Sequence, residues 1–268
     1  MVVTPPLRGG WEGQKKMTTK EALINYCLRI GDTSLILGQR MSEWCSNGPI
    51  LEEDIAMTNI ALDHIGQART MLTYAGELEG KGRTEDDLAY KRNEREFFNS
   101  LLSERPNGHF GDTVVRNFLQ SAYFYHLYKA LSTSKDLMIA AHAAKSLKEV
   151  TYHLRHSAEW IVRLGDGTDE SKEKVQNSFN DIWEYTGNLF EMNKVDEILI
   201  AEGIAVNQNE IKAKWNATIS EVLERAKLIR PKDGYMQTGS LNGLHSEYLG
   251  HLIAEMQFLP RAYPDAKW

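Results

Sequence analysis

Residues 52–77 and 136–164 each carry apolar side chains at three- and four-residue intervals, a period that only an α-helix turns to one side. Helices of that length cannot cover their own apolar stripes, so the chain must fold as a helical bundle. A defect shared by both stripes narrows the choice. In the first, Met57, Ile60, His64, Gln67 and Met71 share one seam, and His64 and Gln67 interrupt it. In the second, Leu147, Val150, Leu154, Ile161 and Leu164 form the apolar stripe, and a line of Ser146, Glu149, His153, His156 and Trp160 runs beside it. The polar pairs His64/Gln67 and His153/His156 are spaced three apart, as Glu-x-x-His is in bundles that hold two metal ions.

The remaining pattern is also helical. Thr18 or Thr19 caps a helix to about Ser46, which Asn47-Gly48-Pro49 stops. Glu85 to Glu104 reads as one charged helix anchored by Leu88, Phe97, Leu101 and Leu102. Asp112 caps a third long helix to about Thr133, and a fourth runs from Asp136 to Leu164. Gly165-Asp166-Gly167 ends the fourth, with glycine supplying a positive φ. Thr168 caps a helix to about Phe190, residues 195–206 read as a short strand or a turn-rich excursion, and Asn209–Leu228 and Leu244–Leu259 are further helices. Pro260 and Pro264 end the last of these. The expectation is an all-α fold, a four-helix bundle with additional helices, as a single domain over residues 17–268. Residues 1–16, rich in Pro and Gly and without periodicity, read as a disordered tail or an extension.

Composition excludes more than it assigns. A net charge of −6 argues against nonspecific binding to nucleic acid or anionic membrane. No apolar run reaches the ~20 residues that span a bilayer. Cys27 and Cys45 fall on apolar positions of one expected helix, ~27 Å apart at the usual rise and beyond disulfide reach. Both read as reduced core residues, consistent with a cytoplasmic protein. The phosphate-cradling loop, the dinucleotide fingerprint and the nucleophile elbow are all missing from the sequence.

The polar line of the fourth helix has two readings. It is a boundary face meeting solvent or another subunit, or Glu149, His153 and His156 point inward at His64 and Gln67. A di-iron site needs carboxylates to neutralise and bridge two cations, and here they fall short. His64-x-x-Gln67 has none, and only Glu149 is near His153 and His156. The first helix offers Glu43 and Gln39, the third Gln120 and Tyr125, and Asp63 points ~100° away from His64. A single zinc-like ion on His64, His153 and His156 is a further reading. Without a metal these residues can satisfy one another by hydrogen bonds.

Several segments carry a resemblance: Arg29-Ile-Gly-Asp32, Leu37-Gly-Gln-Arg-Met-Ser-Glu-Trp-Cys45, Asp63-His-Ile-Gly-Gln-Ala-Arg69, Lys148-Glu-Val-Thr-Tyr-His-Leu-Arg155, Arg163-Leu-Gly-Asp-Gly-Thr168 and His251-Leu-Ile-Ala-Glu-Met-Gln257 with Arg261-Ala-Tyr-Pro264. From about Tyr26 onward the chain resembles the PaaC family, the structural subunits of the bacterial phenylacetyl-CoA oxygenase (1,2-epoxidase) complex. The resemblance implies a ferritin-like fold and a role in aerobic phenylacetate catabolism. It also implies a tight heterodimer with a related catalytic subunit, PaaA, which carries the di-iron site and binds the CoA ester, and higher assemblies of such pairs. A reductase subunit with FAD and an iron–sulfur cluster would supply electrons from NADPH. Set against the catalytic relative's motifs, His64 replaces a bridging Glu, Gln67 replaces a His, His153 replaces the second Glu, and only His156 matches. No catalytic, cofactor-binding or metal-binding residue is therefore carried over, and the five positions (His64, Gln67, Glu149, His153 and His156) read as a degenerate di-iron site. The competing readings are a self-sufficient di-metal oxidase or oxygenase, and a ferritin-like interaction module outside phenylacetate metabolism.

Overall fold

A computed structural model describes residues 17–264 and residue 266. The expected tail over residues 1–16 lies outside them. Four long helices form the frame: α1 (Thr19–Ser42), α2 (Leu51–Glu79), α5 (Phe110–Leu131) and α6 (Leu137–Gly165). Short helices fill the connections: α3 (Glu85–Tyr90), α4 (Leu101–Glu104), α7 (Asp169–Ile182), α8 (Lys194–Ala201), α9 (Gln208–Arg225), α10 (Glu247–Met256) and α11 (Phe258–Ala262). Three 3₁₀ turns, Glu94–Glu96, Trp183–Phe190 and Ser240–Asn242, complete the set, and no strand occurs among the described residues. None of these helices is long and apolar enough to cross a membrane.

α1 and α2 form one antiparallel hairpin, α5 and α6 the other, because their connections are short. The first pair packs closely at two glycines seven residues apart. A Cβ on Gly31 would lie 2.9 Å from Leu72, and one on Gly38 would lie 2.9 Å from Ile65. The largest core cluster joins α1, α2, α5 and α6 with α8 and α10, and a second forms where α7 and α9 close over the N-terminal half of α5. The helix starts follow local chemistry. Thr18 and Glu21 form a capping box on α1, and Asp136 caps α6.

Several boundaries differ from expectation, each for a tertiary reason. Residues 85–104 are not one helix. Beyond Tyr90 the backbone turns its N–H groups to side chains of other elements: Phe98 donates to Asp32 (3.0 Å), Ser100 to Thr33 (3.0 Å) and Leu101 to Asn188 (2.8 Å). Residues 194–201 are helical, started by the Asn193 cap rather than extended. A short apolar run is ambiguous by period alone. The α5 cap is His109, with Asp112 as its capping-box partner. The helix begun at Thr168 passes into 3₁₀ geometry at Trp183, and Pro260 sits within α11 rather than ending α10. At the end of α6 neither Gly165 nor Gly167 has a positive φ. Gly165 is needed for close approach, since a Cβ there would lie 2.4 Å from the Ala226 carbonyl oxygen. α1 stops at Ser42, which leaves Cys45 exposed while Cys27 is buried.

Candidate functional site at the centre of the bundle

The two polar pairs do meet, and most of the inward reading holds. His64 and Gln67 are buried on α2, and His153 is buried on α6. The rings of His64 and His153 lie 4.9 Å apart, with Phe124 of α5 beside His64 at 6.3 Å. Gln67 is held from both sides. Its Nε2 donates to Glu149 Oε2 at 2.9 Å, and its Oε1 accepts from the Tyr128 hydroxyl at 3.2 Å. His156 is at the margin, where its Nε2 donates to Glu53 Oε2 at 2.8 Å. The opposite face of α6, with Lys148, Arg155 and Glu159, is exposed.

Sequence reasoning missed two of the carboxylates. Asp63 leaves α2 at an angle from His64, yet its Oδ2 accepts from His153 Nε2 at 2.9 Å. Glu53 belongs to the acidic first turns of α2 and reaches His156 from there. The other candidates are elsewhere. Glu43 is exposed and binds Arg40 and Asn107. Tyr125 lies under the Lys129 ammonium. Gln120 accepts from Ser100.

This donor set does not fit two bridged ferrous ions. Each carboxylate at the seam enters from its edge and is already bound to a histidine or an amide: Glu149 to Gln67, Asp63 to His153, Glu53 to His156. The buried Asp32 of α1 is committed to Arg92 and the Phe98 N–H. Among the described residues no three His, Cys, Asp or Glu side chains are placed to hold a metal ion. Burial, reinforced by His153 and Arg116, pushes the His64 imidazole well below its usual pKa. Its Nδ1, like that of His153, has no hydrogen-bond partner.

A third histidine shares this centre. His142 of α6 is buried with its ring edge-on to Tyr128 at 5.3 Å. Burial, with Lys145 nearby, lowers its pKa from 6.5 to about 4. The unfolded chain therefore takes up a proton that the folded chain refuses, so this group's effect is absent above pH ~6.5 and costs stability as pH falls toward 4. At ~1.4 kcal/mol per pKa unit, the penalty grows to roughly 3 kcal/mol at the acid end. Urea unfolding at pH 7 and pH 4.5 should show a smaller acid loss in His142→Phe than in the parent. Equal losses would mean that the ring is charged inside the fold.

The frame defines a class, a ferritin-like helical bundle, and at its centre histidine, glutamine and carboxylate side chains pair with one another. A cyanobacterial structure, protein 19 with aldehyde deformylating oxidase activity from Synechococcus, superposes with a TM-score of 0.55. It covers 80% of this chain and 95% of its own at 14% identity, a likeness of fold alone. The C subunit of the 1,2-phenylacetyl-CoA epoxidase of Escherichia coli K12 is 46% identical over 246 residues, 92% of this chain and 99% of the relative. The family model for phenylacetic acid catabolic proteins (PaaA_PaaC) matches residues 11–268, and the chain belongs to that family. The match starts ahead of Met17, where the motif resemblance had no counterpart.

Proposed function

We propose that this chain is a non-catalytic, structural subunit of a phenylacetyl-CoA 1,2-epoxidase in aerobic phenylacetate catabolism. One observation carries the reading. The three acidic side chains at the histidine seam, Glu53, Asp63 and Glu149, are each hydrogen-bonded to a histidine or amide of that seam, where oxygen activation would need them on iron. The near full-length similarity to the E. coli epoxidase protein supports the pathway and the role in a complex. On this reading the partner is a catalytic subunit of the same family, PaaA, which holds the di-iron centre. A separate reductase uses FAD, an iron–sulfur cluster and NADPH, and the assembly is cytoplasmic. This chain acts by binding one arrangement of its partner better than others, which shifts the partner's population toward that arrangement.

Neither the aromatic stripe of α5 nor the seam of α1 offers a docking face. Both are interior: Phe118, Phe124 and Tyr128 of α5 are buried, as is most of α1. The outward face of α2 is the better candidate. Leu51, Ile55, Leu62 and Ile65 are all exposed, and at 100° per residue they fall within an arc of about 80°. That arc lies on the side of α2 away from His64 and Gln67. An exposed apolar stripe of this kind is characteristic of a protein interface, and we assign it to the catalytic subunit.

Metal analysis and co-purification test the reading together. The purified chain should carry well under one iron atom, and mixing with the catalytic subunit should give a stable complex that epoxidises only with both chains present. About two irons per chain with oxygen-dependent turnover by this chain alone would defeat it. Failure to associate would leave a ferritin-like module of another pathway.

A further inference from the structure

Nothing in the fold of the chain calls for a glycine at position 66. Gly66 sits in the middle of α2, a helix of 29 residues. Its φ is not positive, so no turn requires it. A glycine inside a helix weakens that helix relative to alanine, because it gives the unfolded chain more freedom to lose. Close packing is the common compensation. Among the described residues, every other glycine within an α-helix shows it: a Cβ on Gly31, Gly38, Gly76, Gly111, Gly165 or Gly250 would meet an atom at 3.3 Å or closer. A Cβ on Gly66 would meet nothing within 4 Å.

The surroundings of this gap describe what fits it. Gly66 follows Leu62 by four residues and widens the arc of Leu51, Ile55, Leu62 and Ile65 by about 20°. Those four apolar side chains are exposed. From Leu51 to Gly66 the face runs about 22 Å along the helix, the reach of another helix rather than of a single loop tip. Packed helices lie ~8–10 Å apart, at a distance set by the side chains between them. A glycine at the contact permits the short end of that range. The chain uses this device internally, where α1 meets α2 with Gly31 against Leu72 and Gly38 against Ile65.

We propose that a helix of the catalytic subunit crosses α2 at Gly66 and seats a side chain in the gap beside Leu62. The crossing rests on the function proposed above for its partner, and adds the kind of element that docks and the residue on which it docks. The glycine weakens the free chain slightly and serves the assembled one.

Gly66→Ala tests this because two readouts should move in opposite directions. Urea unfolding of the isolated chain should show the folding equilibrium constant raised about two- to fivefold. Titration calorimetry against the purified catalytic subunit should show affinity lowered about tenfold, and about a hundredfold for Gly66→Leu. A parent chain that binds and two folded variants that bind equally well would overturn the crossing and leave the partner in place. A parent chain that does not bind the catalytic subunit would remove the partner and the crossing together. Lower stability of Gly66→Ala would place the close neighbour inside the chain, which also overturns the proposal. So would a free chain that sediments as a dimer and becomes a monomer as Gly66→Leu, since the gap would then belong to a second copy. If Gly66→Leu does not fold, Gly66→Ala alone decides.

Discussion

Changing Ile55 and Leu62 together to glutamate is expected to weaken binding to the catalytic subunit about a thousandfold while leaving this chain folded. Both residues are more than half exposed, at 52% and 60%, so neither change disturbs the core. Apolar residues at the centre of an interface contribute ~2 kcal/mol or more each when they anchor it, and every 1.4 kcal/mol is tenfold. A buried unpaired carboxylate at each position adds a desolvation penalty. Titration calorimetry measures the affinity, and circular dichroism with urea unfolding checks the fold. Epoxidation by the mixture should fall with the complex and recover when both chains are concentrated. An unchanged affinity in the folded double variant would remove α2 from the interface. It would not touch the reading of the bundle centre, which rests on separate residues.

Asp32→Ala is expected to destabilise the isolated chain by about 3–5 kcal/mol, the usual cost of leaving one half of a buried ion pair. Asp32 and Arg92 are both buried and pair through the two terminal guanidinium nitrogens, Nη1 and Nη2. Asp32 also accepts the Phe98 N–H, while Arg92 donates to the Leu88 and Glu96 carbonyls. The aspartate therefore fixes the irregular path between α3 and α4, and its loss strands a cation and a backbone donor together. A domain with ~5–15 kcal/mol in total would be left marginal. Urea unfolding of Asp32→Ala, Arg92→Met and the double variant gives the coupling. If the pair acts as described, the double variant costs less than the two single variants added together. A loss below ~1 kcal/mol for Asp32→Ala would show that the segment is held by its other contacts.

The same residues explain why the sequence misleads over residues 85–104. Arg92, Asn99 and Glu104 are polar, so a helical period places them in solvent, yet all three are buried. Glu104 binds His245 at 2.6 Å, the Ser246 N–H at 2.8 Å and Asn99 at 2.9 Å. The partners lie up to 142 residues away, and no local pattern announces them. His153 and His156 of α6 part company for a similar reason. A three-residue spacing places both on one side of the helix, but only the neighbour across the groove decides which is enclosed. His153 meets His64, and His156 meets Glu53 at the rim.

Read alone, the sequence determined the helical class and the two long seams, because a 3.6-residue period is a local fact. Tertiary structure decided which acids reach the seam, where the buried ions find partners, and which apolar stripe is left uncovered. Those outcomes depend on the distance between side chains brought together by packing. Asp63 and His153 stand 90 residues apart in the chain and 2.9 Å apart in the fold.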